Sequence, residues 1–144
     1  MIPVTYRASF SYLVRHPWQL ALSLHAADDD KRNEIMPINE SNNLDALKDA
    51  LLYFYRETGN RITLEYVALQ GINEREEDAH KLVRFASHFP CKINIIEYNS
   101  IEQADFRKAK PGDLQKFAGV LERKGLRVNI RKSRGEDIDA ACGQ

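Results

Sequence analysis

Along this chain, compact apolar runs alternate with longer segments whose apolar positions recur at helical spacing. Gln19-Leu20-Ala21-Leu22-Ser23-Leu24 is the first run and predicts a strand. His25-Ala26-Ala27 then opens a polar loop through Asp28-Asp29-Asp30-Lys31-Arg32, and a short helical turn over Glu34–Met36 is expected to end at Pro37. Leu44, Leu47, Leu51 and Phe54 share one helical face. Asn43 precedes them as an N-cap, Asp45 suits the first turn, and Gly59 stands where a left-handed C-cap residue belongs. The stretch Arg61 to Leu69, rich in β-branched and aromatic residues, predicts the second strand. Asn73 is expected to cap a second long helix with an acidic first turn, Glu74 to Asp78, and a buried stripe of Ala79, Leu82, Val83 and Ala86. Pro90 stops that helix, and Lys92 to Tyr98 forms the third strand, ending at Asn99. Asp113 is expected to cap a third helix carrying Leu114, Phe117, Val120 and Leu121, with Gly125 closing it and Leu126–Ile130 as a last strand.

The order is βαβαβαβ, so the strands are parallel and their crossovers right-handed. Such a sheet is either open or an arc of an α/β barrel. Polar residues gather at strand ends, where barrels place their sites: Ser23 and His25 after the first strand, Asn99 after the third. If the first strand stays extended, Ser23 and His25 point to one side. Glu65 interrupts an otherwise apolar strand and needs a cationic partner or a polar cavity. Residues 1–18 mix aromatic and polar positions and read as an irregular or helical arm, leaving 19–144 as the α/β unit.

Composition narrows the picture only a little. Lys+Arg and Asp+Glu balance at 21 each over 144 residues, so a nucleic-acid contact must come from a local basic patch, for which Arg131, Lys132 and Arg134 are the candidates. No apolar run approaches the roughly 20 residues of a membrane helix, and the start lacks a secretory pattern, so a cytoplasmic protein without membrane contact is expected. The two cysteines, Cys91 and Cys142, are too few for a disulfide scaffold or a structural metal site. Cys91, after Pro90 at a strand start, reads as a buried apolar residue. Cys142 sits among small residues near the chain end, where backbone freedom lets a thiol move.

Four stretches carry a more specific signal. They are Ala21-Leu22-Ser23-Leu24-His25-Ala26 with Met36-Pro37-Ile38-Asn39; Thr63-Leu64-Glu65-Tyr66-Val67; Pro90-Cys91-Lys92-Ile93-Asn94-Ile95-Ile96 with Asn99; and the run from Arg131-Lys132-Ser133-Arg134-Gly135 to Cys142-Gly143-Gln144. In this order they closely resemble the radical-SAM adenine methyltransferases of the RlmN/Cfr type, from about Gln19 to the chain end. The resemblance implies an α/β fold of parallel βα units forming the C-terminal half of a radical-SAM partial (βα)6 barrel. It implies that Ser23, Leu24, His25 and Asn99 hold S-adenosylmethionine and that Cys142 is the catalytic cysteine that carries the methyl group. The methyl then goes to carbon 2 of adenine in 23S rRNA and tRNA. Two alternatives are a Cfr-like enzyme acting on carbon 8, and an α/β module that binds RNA or a nucleotide without catalysis.

The family's CxxxCxxC motif for its [4Fe-4S] cluster is absent from this sequence, as are its glycine-rich motif and catalytic glutamate. This chain by itself is therefore expected to be inactive. A barrel cut in half should also bare an apolar inner face of Leu22, Leu64, Val67, Ile93 and Ile95, which predicts a homo-oligomer. With two cysteines far apart in sequence, reconstitution with iron and sulfide should leave this chain without a stoichiometric [4Fe-4S] cluster. The visible absorption of the product checks this.

Overall fold

Asp28, Asn43 and Gly59 fix the boundaries of the first two helices in a computed structural model that describes residues 19–36, 43–99 and 105–132. The described strands are β1 (Leu20–Ser23), β2 (Ile62–Ala68), β3 (Cys91–Glu97) and β4 (Arg127–Lys132). The helices are α1 (Asp29–Ile35), α2 (Leu44–Thr58), α3 (Glu76–Ala86) and α4 (Pro111–Arg123). The expected arm, the Pro37 stop, Arg134 and Cys142 lie outside the described residues.

Local chemistry explains most of these boundaries. Asn43 accepts a hydrogen bond from the Ala46 N–H at 3.0 Å, and Gly59 closes α2 with φ of 67°. The acidic run expected as a loop is instead the start of α1. Asp28 caps it by accepting from the Lys31 N–H at 3.2 Å, and Asp29 and Asp30 complement the positive helix end. Lys81 on α3 pairs with Asp28 and holds its carboxyl below the ordinary carboxylate value of 3.8. That contribution is therefore present above this value and is lost only as pH falls through the lower folded value. Lys31 reaches Asp78 at 2.6 Å, a second tie between α1 and α3. Asp113 does not cap α4; Pro111 opens the helix, its fixed φ suiting the first turn, and Asp113 lies within that turn.

The sheet order is β1-β2-β3-β4 and every neighbouring pair is parallel. Right-handed crossovers that always step in one direction put the crossover helices α2, α3 and α4 on the same face. A doubly wound sheet must reverse direction to cover both faces. This one never does, which makes it an arc of a barrel.

Side-chain alternation gives the two faces opposite characters. Leu20, Leu22, Leu24, Ile62, Leu64, Tyr66, Ile93, Ile95 and Val128 pack under the helices with Leu51, Phe54, Leu82, Phe117 and Leu121. Tyr66 stacks on Phe117 with ring centroids 5.1 Å apart. The open face carries three registered rows. From the N-terminal end they are Ala21-Thr63-Lys92-Arg127, Ser23-Glu65-Asn94-Asn129, and Val67-Ile96-Arg131. The apolar inner face expected from sequence is thus wrong by one step of the strand period. Leu22, Leu64, Ile93 and Ile95 are under the helices, and only Val67 faces the open side. Even Val67 is covered, by a second cluster with Ala26, Ile35, Met36, Leu69, Ile96 and Tyr98. The apolar argument for a homo-oligomer falls with that face.

Asn73 differs most from its expected role. It does not cap α3, whose boundary residue is Arg75, with the Asp78 carboxylate accepting the Arg75 N–H at 3.1 Å. Asn73 is fully buried, and its side chain is saturated. It donates to the carbonyls of Val67 at 2.6 Å and His25 at 2.7 Å, and accepts from the Leu69 N–H at 2.8 Å. Its own carbonyl accepts the Tyr66 hydroxyl at 2.5 Å. Removing the amide strands three buried backbone groups at once. Asn73→Ala should cost about 3 kcal/mol or more of stability, read as a lower urea midpoint with an unchanged slope.

Candidate functional site

The candidate site forms where β1 ends. The N–H groups of Leu24 and His25 both donate to the Glu65 carbonyl on β2, at 2.9 and 3.3 Å. The chain then turns sharply at His25, whose φ of 60° is the only left-handed non-glycine value among the described residues. A side-chain-bearing residue in that region costs about 1–3 kcal/mol unless its surroundings enforce it. Here they do. The Val67 N–H donates to His25 Nδ1 at 2.9 Å, and Asn73 donates to the His25 carbonyl. Arg32 on α1, buried beneath the turn, donates from Nε to the Leu24 carbonyl at 3.0 Å and from Nη2 to the Ser23 carbonyl at 3.2 Å. Because Nδ1 accepts from a backbone N–H, the bond assigns the ring proton of the neutral imidazole to Nε2.

Beside this turn lies the polar row of the open face. Ser23 is in register with Glu65, and Glu65 with Asn94. Asn94 Nδ2 donates to Glu65 Oε1 at 3.2 Å, while the Arg131 guanidinium stands 3.6 Å from Oε2. The expectation that Glu65 has a cationic partner is met. Oε2 itself is buried and accepts no hydrogen bond from the described residues.

No family model matches the chain. A protein of Cytophaga hutchinsonii named as a probable dual-specificity RNA methyltransferase RlmN is 58% identical over 127 residues. That alignment takes in 88% of this chain and 35% of the relative, so the chain spans about a third of the relative's length. The crystal structure of a radical SAM methyltransferase from Sphaerobacter thermophilus superposes with a TM-score of 0.82 and 35% identity, over 95% of this chain and 41% of that one. This chain is a partial homologue of the RlmN-type radical-SAM methyltransferases. The SuiB protein of Streptococcus suis, solved bound to S-adenosylmethionine, shares the fold alone, at 16% identity and a TM-score of 0.65 over 88% of this chain and 30% of that one.

Against that RlmN-type background, the residues expected to hold S-adenosylmethionine fall into different roles. Leu24 is fully buried in the core under the helices. His25 is 1% exposed, and it does not continue the strand, so Ser23 and His25 do not share a side by simple alternation. Its ring latches β1 to β2. Of the three, only Ser23 presents its side chain to the open face, in the row with Glu65. Asn99 is exposed just past β3, and parallel strands put it at the same end of the sheet as Ser23. Arg131 and Lys132 do not form one patch, because adjacent strand residues face opposite sides, and Arg131 points at Glu65.

Arg32 and Asn73 were not legible as site residues. Arg32 follows three aspartates and a lysine, a pattern that reads as solvated surface. Asn73 has a legible turn before it, since Gly71 with φ of 75° folds the chain back, but an Asn there also reads as a helix cap. A cavity of about 590 Å3 between the start of α3 and α4 is lined by Glu74, Arg75, Asp113, Lys116 and Arg123 and lies on the helix side, away from this site. Among the described residues no group of three or more His, Cys, Asp or Glu is placed to hold a metal ion. No described helix is long and apolar enough to cross a membrane.

Cys91 is partly buried against the core, with Sγ 3.7 Å from the Ala86 carbonyl. Burial pushes its thiol up to about 11. Alkylation of Cys91 by iodoacetamide at pH 8 should therefore be much slower than in the urea-unfolded chain and should accelerate as pH rises toward 11. Peptide mass spectrometry resolves Cys91 from Cys142.

Proposed function

We propose that this chain supplies the C-terminal βα units and the methyl-carrying cysteine of an RNA adenine methyltransferase that acts on carbon 2. The observation that carries the reading is the β1 exit: a buried latch of His25, Arg32 and Asn73 that sets Ser23 beside a polar row on the open face of a barrel arc. Agreement with the names of relatives as similar as that of Cytophaga hutchinsonii supports it. The RNA substrates of this reading are 23S rRNA and tRNA, and its compartment is the cytoplasm.

The residues of the open face fit S-adenosylmethionine. A buried carboxylate oxygen with no donor among the described residues, next to a serine in register, suits a ligand rich in hydrogen-bond donors. Ser23 and Asn99 would contact the cofactor, while Leu24 and His25 fix the turn that presents Ser23. Bound S-adenosylmethionine supplies an electrophilic methyl group and, in the family, the radical chemistry. Cys142 would be the residue that receives that methyl on its sulfur, giving up its thiol proton, with S-adenosylhomocysteine as the co-product. The family's [4Fe-4S] cluster does not fit the residues present. Cys91 is a high-pKa thiol turned toward α3, which leaves Cys142 alone against a ligand set of several thiolates.

The test is a chimera in which residues 19–144 replace the matching segment of the Cytophaga hutchinsonii relative. It should methylate adenine at carbon 2 and show Cys142 one methyl heavier by mass spectrometry. Cys142→Ala should abolish both signals with the melting temperature unchanged. Methylation of RNA by the Cys142→Ala chimera, or at carbon 8, would overturn the reading.

A further inference from the structure

The open face is basic at its N-terminal end. There the row Ala21-Thr63-Lys92-Arg127 sets Lys92 and Arg127 in register on neighbouring strands. Such strands lie about 4.8 Å apart, and two like charges that close repel unless an anion joins them. Arg61, one residue before β2, adds a third cation at the same end. None of the three side chains makes an ion pair or hydrogen bond with a described residue. The nearest carboxylate on the face is Glu65, one row further along, and Asn94 and Arg131 already engage it. Helix ends do not explain the cluster. Arg56 answers the C-terminus of α2 from within its last turn, whereas Lys92 and Arg127 stand on strands, which carry little net dipole.

A cavity of about 390 Å3 opens beside these cations, lined by Gln19, Tyr55, Gly59, Arg61, Pro90 and Lys92. Its size lies within the range of small-ligand pockets. The lining joins an aromatic ring to two cations, and Lys92 belongs both to the cavity and to the open-face row. Tyr55 packs partly buried against the core, which anchors its ring. Cations that follow a phosphate backbone, beside an aromatic ring that takes a base, are the equipment of proteins that bind single-stranded nucleic acid. An acidic peptide would use the cations and leave Tyr55 idle. The basic patch expected at Arg131 and Lys132 is divided between two faces, so it is at this end of the sheet that cations gather.

We propose that Arg61, Lys92 and Arg127, with Tyr55, bind one nucleotide unit of a single-stranded RNA, its phosphates on the cations and its base in the Tyr55 cavity. RNA as the polymer rests on the reading of this chain as part of an RNA methyltransferase. Phosphate contacts fix register without reading sequence, so this site positions the substrate strand and does not choose the target adenine. It is separate from the Ser23 turn. On β2 the open-face positions Thr63 and Val67 mark the two ends, and their separation along the strand is about 13 Å.

Fluorescence anisotropy of the full 144-residue chain with a labelled oligoadenylate, measured across a salt series, tests the site. Each phosphate contact on a single strand contributes about 0.7 to the slope of log affinity against log salt. Lys92→Gln combined with Arg127→Gln should therefore weaken binding and lower that slope by about 1.4. Lys48→Gln removes a cation already paired with Asp45 and should leave the slope unchanged. An abasic oligomer of equal length should bind wild type about tenfold more weakly at the same slope, because the stacked base is lost. Should the double variant fold poorly, Arg127→Gln alone, at an exposed position, should show half the slope change. An unchanged slope in these variants, an equal loss in Lys48→Gln, equal affinity for the abasic oligomer, or equally tight binding of poly-glutamate would overturn the site. So would failure of wild type to bind the oligoadenylate. The methyltransferase reading stands or falls separately, on methylation of adenine by the chimera.

Discussion

A histidine in the left-handed region cannot hold itself there, and the site depends on what holds His25. Three elements converge on that one residue and its two predecessors. β2 offers the Glu65 carbonyl and the Val67 N–H, α1 offers Arg32, and the β2–α3 loop offers Asn73. Every backbone polar group from the Ser23 carbonyl to the His25 carbonyl is thereby satisfied within the protein. Nothing in this turn waits for a ligand to give it shape. The Ser23 side chain is consequently delivered to the open face on a preformed support, which spares the ordering cost a flexible loop would impose on binding.

The same constraint explains why the open face can be polar. In a barrel arc, the crossover helices α2, α3 and α4 supply the hydrophobic burial on one side only, and Leu64, Tyr66, Ile93 and Ile95 satisfy that demand from β2 and β3. The alternate positions are released from packing duty. They carry Glu65, Asn94 and Asn129, with Val67 and Ile96 sealed separately by Ile35 and Met36. Stability and chemistry are thus divided between the two faces of each strand, a division available only because successive side chains point opposite ways.

Much of this division was legible in the sequence, but not all of it. Strand identity came from β-branched runs, α2 from Asn43 and Gly59, and Glu65, the single charged residue of β2, announced a partnered carboxylate. The alternation itself is visible, since Thr63, Glu65, Lys92 and Asn94 interleave with Ile62, Leu64, Tyr66, Ile93 and Ile95; what was not legible is that the apolar set packs under the helices while the polar set lines the open face. Asn73 and Arg32 escaped for another reason. Local rules describe an Asn before a helix as a cap and an Arg in a charged run as surface, and both roles were overridden by backbone groups far away in sequence. Long-range hydrogen bonds leave no periodic trace.

Parallel topology also fixes the end of the sheet at which the described chain leaves β4. All four strands run the same way, so β4 delivers the chain at the end of the sheet where Ser23 and Asn99 stand. Cys142 is attached to that end by the ten residues after Lys132. Ten residues of extended chain span at most about 33–36 Å. Four strands spaced about 4.8 Å apart make a sheet only about 14 Å from first axis to last. The tether therefore exceeds the full width of the arc, and no strand end is out of its reach. A cysteine attached after an antiparallel strand would start from the opposite end and spend most of its reach crossing the sheet. The direction of β4, more than the length of chain that follows it, is what puts position 142 within reach of that end.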